Sequence, residues 1–171
     1  MIQGQRIRLR AVEHSDLRQF VEWLNDPEVT AGLTLYLPLS MDDEEQWYAG
    51  MRQRPAPERP LVIEIEAGDS WKMIGNVGFV SLDWRVRAAE VGIFIGEKSL
   101  WSQGYGTEAM KLMLRHGFQT LNLNRICLRV MADNPRAVRA YEKAGYVHEG
   151  RQRQGDYHDG QYVDLLWMSV L

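Results

Sequence analysis

Hydrophobic and polar residues alternate with a period of two in several segments of the first half of the chain. Residues 6–10 place Ile7 and Leu9 between arginines, which predicts a strand with one buried face. Three further segments are rich in Val, Ile and Phe and also predict strands. They lie at residues 61–66, 73–82 and 88–96, and turn-forming residues at 67–70 join the first two as a hairpin.

A helical spacing of apolar residues marks two other segments before residue 60. The first follows Ser15, has apolar residues every three or four positions up to Leu24, and is predicted to end at residues 25–27, where a proline occurs. The second begins with Ser40 and Asp43, which resemble a capping box, and extends to about Arg54. Both patterns predict amphipathic helices.

The second half of the chain predicts a strand, loop, helix and strand unit. Residues 103–107 are too rich in glycine for the interior of a strand or helix, so they predict a tight loop after the strand at 88–96. Apolar residues from Glu108 to Leu121 have helical spacing, and residues 125–131 alternate as a strand.

The last third of the chain adds one helix and one hairpin. Asp133 or Asn134 can cap a helix that has Pro135 in its first turn and ends at Gly145. Two predicted strands then surround an Asp-Gly turn, at residues 146–157 and 162–170. The fold class is therefore predicted to be α/β, as a single domain over residues 1–171.

Composition narrows the function. A chain of 171 residues with 45% hydrophobic content fits one domain with a substantial core. Its net charge of −3 lacks the basic excess that a nucleic-acid partner requires, and it has no apolar run of the roughly 18 to 20 residues that cross a membrane. We expect a cytoplasmic protein. Its one cysteine and its unpaired histidine spacing predict neither a disulfide nor a metal site.

The segment 103–107 is the strongest candidate for binding chemistry. Two close glycines let the backbone turn its amides inward, and the following helix adds unpaired N–H groups and a positive dipole end. This arrangement favours a pyrophosphate ligand. A plain turn that needs glycine for its dihedral angles is the alternative interpretation of the two glycines alone.

Two other phosphate-binding classes fit this segment less well. A kinase or ATPase P-loop needs a lysine directly after its last glycine, where this chain has Thr107. The G-x-G-x-x-A spacing of the dinucleotide-binding fingerprint is present at Gly104, Gly106 and Ala109. The fingerprint also requires an acidic residue about 20 positions later, and arginines occupy that region here.

Two segments together resemble the GNAT superfamily of N-acetyltransferases. They are residues 101–109, WSQGYGTEA, and residues 134–146, NPRAVRAYEKAGY, and the likeness extends from about Arg6 to Leu171. Within the superfamily the chain is similar to the RimJ/RimL-like branch, which includes ribosomal-protein N-terminal and spermidine acetyltransferases. It departs from the usual pattern at Trp101, where the superfamily often has Gln or Arg.

The resemblance implies a GNAT acyl-CoA N-acyltransferase fold. Its twisted mixed sheet would be antiparallel through the first four predicted strands and parallel between the fourth and fifth, with helices on both faces and a splay at the parallel pair. Acetyl-CoA would lie across that splay. The implied contacts are backbone amides of Gln103, Gly104, Tyr105, Gly106 and Thr107 for the pyrophosphate, main-chain groups of Ile93, Phe94 and Ile95 for the pantetheine arm, and Asn134, Arg136 and Tyr141 on the next helix.

Two residues are candidate catalysts. Tyr141 lies seven residues after Asn134 and therefore on the same helical face, and in the family a tyrosine here can protonate the departing CoA thiolate. Its alternative role is that of a core aromatic. Glu90 is the only ionisable residue in 88–96 and could remove the proton of the acceptor amine. Its alternative role is that of an exposed charge at a strand end.

The function implied is transfer of the acetyl group of acetyl-CoA to a primary amine, on a protein N-terminus or a small molecule, by direct attack and without a metal. Two alternatives stay open. A non-catalytic acyl-CoA-binding sensor could keep the loop, and a nicotinamide-dependent oxidoreductase could use the same glycines. Residues 26–60 match no pattern that identifies the acceptor, and the sequence is compatible with a homodimer.

Overall fold

The computed structural model describes all 171 residues. Eight strands form one sheet in the order β1-β2-β3-β4-β5-β6-β8-β7. The strands are β1 (Ile2–Gln3), β2 (Ile7–Ala11), β3 (Leu61–Ala67), β4 (Ser70–Asp83), β5 (Ala88–Ile95), β6 (Arg125–Met131), β7 (Val147–His158) and β8 (Gln161–Val170). The helices are α1 (Leu17–Leu24), α2 (Pro27–Thr30), α3 (Met41–Gln53), α4 (Tyr105–Arg115) and α5 (Pro135–Ala144).

The sheet is antiparallel except at one position, as predicted. Strands β1 to β5 pair antiparallel in sequence order. Strands β5 and β6 are parallel, because the crossover through α4 returns the chain to the same end of the sheet. Only residues 88–90 of β5 pair with residues 125–127 of β6. Beyond these three pairs the strands diverge, which confirms the predicted splay.

Two apolar clusters pack on opposite faces of this sheet. The larger contains alternate residues of β5, Ala89 and Val91, together with the buried face of α4. The smaller contains Phe20 of α1 and Met51 of α3, with Phe94 of β5 packed against it. Helices therefore cover both faces, as predicted. One acid, Glu44, lies on the same side of α3 as Met51 and is only 4% exposed.

Helix α4 begins earlier than its sequence suggests. Residues 103–107 were predicted to be a loop, but Tyr105 is the first residue of α4, and Gly104 before it has a φ of +87°. The prediction was wrong because a single left-handed residue completes the turn, so the second glycine is free to be helical. At its other end, α4 continues as a π-helical turn over His116–Thr120.

Several helix ends follow the capping signals in the sequence. The Ser40 hydroxyl accepts a hydrogen bond from the Asp43 amide in a capping box, and Gly145 ends α5 with a φ of +108°. Pro27 behaves differently from its prediction. It does end α1, but it also opens the short helix α2, because the Asp26 carboxylate caps the Glu28 amide.

None of these helices is both long and apolar enough to cross a membrane. The structure also contains no cluster of three or more His, Cys, Asp or Glu side chains arranged to hold a metal ion.

Candidate functional site

A cleft of about 1150 Å³ opens where β5 and β6 diverge. The separated ends of these strands form its floor, and the first turns of α4 and α5 form two of its walls. Gly32, Leu33 and Thr34, just after α2, close a third side. From Val91 onward, the edge of β5 that faces β6 has no strand partner, so its main-chain groups are available to a ligand except the Ile95 carbonyl, which accepts from Trp101.

The first turn of α4 provides an anion site at one end of the cleft. The amides of Tyr105, Gly106 and Thr107 belong to the first helical turn and therefore have no partner within the helix. A Cβ added at Gly106 would meet nothing closer than Ile95 Cγ1 at 3.9 Å. Gly106 is thus required neither by its dihedral angles nor by protein packing, and its missing side chain leaves room beside these amides for a ligand.

Arg6, from the segment before β2, holds this turn in place. Its Nη1 donates to the Gln103 carbonyl oxygen at 3.0 Å, and its Nε donates to Glu108 Oε2 at 3.0 Å. The guanidinium carbon also lies 4.6 Å from the centre of the Tyr105 ring. These contacts join the start of the chain to both ends of the glycine turn, about one hundred residues later.

Trp101 joins the turn to the strand edge and to α5. Its indole Nε1 donates to the Ile95 carbonyl oxygen at 2.7 Å, and the Arg136 guanidinium stacks 3.7 Å from its ring centre. Trp101 therefore orients Arg136 over the cleft by a cation–π contact. The residue that departs from the usual family pattern has a structural role of its own.

Tyr141 lies on the cleft side of α5, one side of its ring packed towards Tyr146. Burial in these apolar surroundings raises the pKa of Tyr141 to about 12, although the positive charge of Arg136 opposes the shift. The phenol therefore keeps its proton at neutral pH and can donate it. Asn134 also lines the cleft, and its Oδ1 accepts from the Ala137 amide as the N-cap of α5.

Glu90 lies where the last parallel pair ends, and it is not a free carboxylate. Its Oε1 accepts a hydrogen bond from Arg129 Nε at 2.7 Å, across the start of the splay. Arg129 in turn stacks on Trp167, with its guanidinium carbon 5.3 Å from the ring centre. The ion pair fixes the position of the Glu90 carboxylate at the start of the splay.

Positive charge dominates the lining. The two carboxylates in it, Glu90 and Glu108, are each paired with an arginine. The cationic residues of the lining are Arg6, Lys111, Arg115, Arg129, Arg136, Arg139 and Lys143. An electropositive cleft with a helix N-terminus at its edge suits a ligand that carries several phosphates.

The structure brings almost all the candidate residues together. Eleven of the twelve line this one cleft: Glu90, Ile93, Phe94, Ile95, Gly104, Tyr105, Gly106, Thr107, Asn134, Arg136 and Tyr141. Gln103 is the exception. Its side chain turns away to donate to the Ser99 carbonyl oxygen at 2.8 Å, and its own carbonyl is held by Arg6.

Arg6 and Arg129 are the cleft residues that sequence reasoning missed as site residues. Each makes its key contact with a residue far away in the sequence, Arg6 with Glu108 and Arg129 with Glu90. Arginines in alternating strands otherwise indicate only an exposed face, so no local signal distinguishes these two.

Comparison with known proteins agrees with this geometry. Residues 6–147 match the model of the acetyltransferase (GNAT) domain family. A spermidine N(1)-acetyltransferase of Vibrio cholerae is 30% identical over 98% of this chain and 94% of its own length. One from Escherichia coli K12 is 27% identical over 99% of this chain and 88% of its own.

A solved structure extends the likeness to three dimensions. The crystal structure of the spermidine N-acetyltransferase from Vibrio cholerae in complex with CoA and spermine superimposes with a TM-score of 0.87. The match covers 97% of this chain and 95% of that chain at 29% sequence identity.

Proposed function

We propose roles for the cleft residues from the premise that this chain belongs to the GNAT acetyltransferase family. The enzyme transfers the acetyl group of acetyl-CoA to an amine, and acetyl-CoA is its cosubstrate. Within the family we place it in the RimJ/RimL-like branch, on the strength of the segments at 101–109 and 134–146. The single observation that carries the proposal is the convergence of eleven candidate residues on one electropositive cleft.

The cosubstrate is held mainly by main-chain groups. The amides from Gly104 to Thr107 bind the pyrophosphate, and the unpaired edge of β5 at residues 93–95 binds the pantetheine arm like an added strand. Arg136, oriented by Trp101, and the other lining cations of α4 and α5 neutralise the phosphates. The thioester then lies in the splay, between the glycine turn and Glu90.

The reaction is a direct attack of the amine nitrogen on the thioester carbonyl carbon. A main-chain amide of β5 polarises the carbonyl oxygen. As the tetrahedral intermediate collapses, the carbon–sulfur bond breaks and Tyr141 gives its proton to the departing thiolate. The phenol is protonated at neutral pH, and the positive charge of Arg136, which opposes the burial-driven rise in the pKa of Tyr141, favours release of that proton to the thiolate.

The amine must lose a proton, and Glu90 is placed to take it. An amine with an ordinary pKa near 10 is about 99.9% protonated at pH 7, so the reactive fraction is only about 10⁻³. Glu90 lies at the end of the splay opposite the glycine turn and is held in position by its ion pair with Arg129. A carboxylate there stabilises the ammonium ion and accepts its proton directly or through water.

Calorimetry with acetyl-CoA and an acceptor screen test this assignment. We expect acetyl-CoA to bind, NAD and NADP not to bind, and CoA release to depend on an added amine. The screen includes spermidine, because relatives carry that name, and also amino acids and peptides with free N-termini. Binding of NAD or NADP in place of acetyl-CoA would contradict the function. Binding of acetyl-CoA without acetyl transfer to any amine would indicate an acyl-CoA sensor.

A further inference from the structure

The acceptor end of the cleft contains an arginine whose donors are mostly unused. Arg129 lies on β6 two residues beyond Cys127, the last residue paired with β5, so it stands at the mouth of the splay. Its Nε donates to Glu90 Oε1, and this is the only hydrogen bond that its guanidinium makes in the protein. A guanidinium has five N–H donors in a planar fork, so both terminal nitrogens remain available.

The fork is oriented as well as available. The guanidinium carbon lies over the Trp167 ring, which restrains the group from one side, and the bond to Glu90 restrains its rotation. The side chain is 44% exposed and lines the cleft. Its terminal N–H groups therefore reach the space that an acceptor must occupy to approach the thioester. A fixed, planar pair of donors matches the two oxygens of a carboxylate.

The charge of the cleft favours the same kind of acceptor. Glu90 and Glu108 are its only carboxylates, and each is already paired with an arginine. A polyamine with several positive charges finds no unpaired carboxylate in this lining and meets the positive charge of Arg129 at the acceptor end. An amine that also carries a negative charge meets an unused pair of donors.

We infer that Arg129 determines acceptor specificity by binding a carboxylate of the acceptor, so that the enzyme acetylates amines bearing a nearby carboxylate, such as amino acids, in preference to polyamines. The inference rests on the proposed acetyl transfer to an amine. In this arrangement the terminal nitrogens of Arg129 hold the acceptor carboxylate, and its Nε holds Glu90. The amine of the acceptor then lies beside its base.

A matched acceptor series tests the inference in the whole enzyme. Each amino acid is compared with its carboxamide and with its decarboxylated amine, and spermidine is added; kcat/KM is measured at saturating acetyl-CoA and corrected for the fraction of free amine. A charge-assisted hydrogen bond accounts for about a 10- to 100-fold preference, so the wild-type enzyme should prefer the free acid over the decarboxylated amine by that factor. Arg129→Gln should remove most of the preference, and Arg129→Lys should retain part of it.

Arg125→Gln is the matched control. Arg125 lies four residues earlier on the same side of β6 and pairs with Glu149 through its terminal nitrogens, but it does not line the cleft. Its variant should keep the wild-type preference. Circular dichroism and acetyl-CoA affinity, both expected to be unchanged in the Arg129 variants, report on folding and on the cosubstrate site.

Three results would overturn the inference. Spermidine as the best acceptor would show that the cleft does not select against polycations. An equal loss in Arg129→Gln for free acids and decarboxylated amines would show that Arg129 acts only through Glu90. A preference for carboxamides over free acids would assign the fork to a peptide carbonyl. A wild-type enzyme that does not bind acetyl-CoA would instead contradict the proposed function, and calorimetric titration of amino acids would then test Arg129 separately.

Discussion

The two ends of the cleft are built in different ways. At the proposed cosubstrate end, the candidate binding groups are main-chain amides of a helix turn and a strand edge, and their positions follow from one left-handed glycine and three parallel pairs. At the proposed acceptor end, the candidate binding groups are two side chains, Glu90 and Arg129, that come from different strands and are held by each other. The comparison shows why one function can be shared by many chains while the acceptor differs: backbone geometry is hard to vary, and side chains are easy to replace.

The largest effect of a substitution is expected at Tyr141, between the two ends of the cleft. Tyr141→Phe keeps the ring and deletes the hydroxyl, so kcat should fall by about 10²- to 10⁴-fold with little change in acetyl-CoA affinity, as measured by steady-state kinetics and calorimetry. Tyr146→Phe is the control, because its hydroxyl is buried without a partner and lies outside the cleft. Turnover at the wild-type rate in Tyr141→Phe would show that the thiolate needs no protein acid.

A larger residue at Gly106 tests the cosubstrate end. Gly106→Val projects a branched side chain into the open space beside the helix-turn amides, so acetyl-CoA affinity measured by calorimetry should fall about 100-fold or more. Gly50→Val in α3 is the matched control, since this glycine is also helical, has open space around it and lies away from the cleft. Unchanged affinity in a folded Gly106→Val variant would place the pyrophosphate elsewhere.

Loss of the Glu90 carboxylate tests the acceptor end. Glu90→Gln should lower kcat/KM about 10-fold near pH 6 to 7, and the loss should narrow towards pH 9 as more of the amine becomes free. Glu149→Gln removes the carboxylate of the neighbouring ion pair with Arg125 and should leave the pH profile unchanged. If Glu90→Gln followed wild type from pH 6 to 9, Glu90 would serve only as the ion-pair partner of Arg129, and a water chain would serve as base.

A smaller effect, on the stability of the folded protein, is expected at Glu44 of α3, in the helix layer on the face of the sheet that carries Phe94. Burial raises the pKa of Glu44 from 4.5 to about 7. The native state therefore binds more protons than the unfolded state between these values, so stability falls as pH rises through this window. Glu44→Gln should be more stable than wild type by on the order of 2 kcal/mol above pH 7, with the difference vanishing below about pH 4.5.

Chemical unfolding at several pH values measures this difference. Glu45→Gln is the control, because Glu45 is the exposed neighbour of Glu44. Its difference in stability from wild type should not change in this way with pH. A Glu44 variant that is destabilised at pH 8 would show that the carboxylate has a favourable partner in the folded protein.

The sequence predicted the local structure around the glycine turn and α5 well and the side-chain contacts of Glu90 poorly, and the reason is physical. Gly104, the cap at Asn134 and the alternation of β5 are local signals, because dihedral angles and helix termini depend on a few neighbouring residues. The sequence placed the start of α4 too late. Two glycines suggested a longer loop, whereas one left-handed glycine, Gly104, is enough to complete the turn. Glu90 was recognised as a candidate, but its partner Arg129 is 39 residues away, and only the folded sheet brings the two together.

The three residue pairs that join β5 to β6 have a consequence for how the molecule is held together. They are the only strand pairing between the first five strands and the last three, so the sheet is nearly divided at its centre. A pantetheine arm bonded along β5 and contacting α5 would tie these halves to each other. Ligand binding should then slow amide hydrogen exchange in both, including strands that never touch the cosubstrate, and raise the melting temperature in proportion to the logarithm of acetyl-CoA concentration at saturating levels. The concentration of acetyl-CoA would in this way determine the stability of the fold as well as the rate of the reaction.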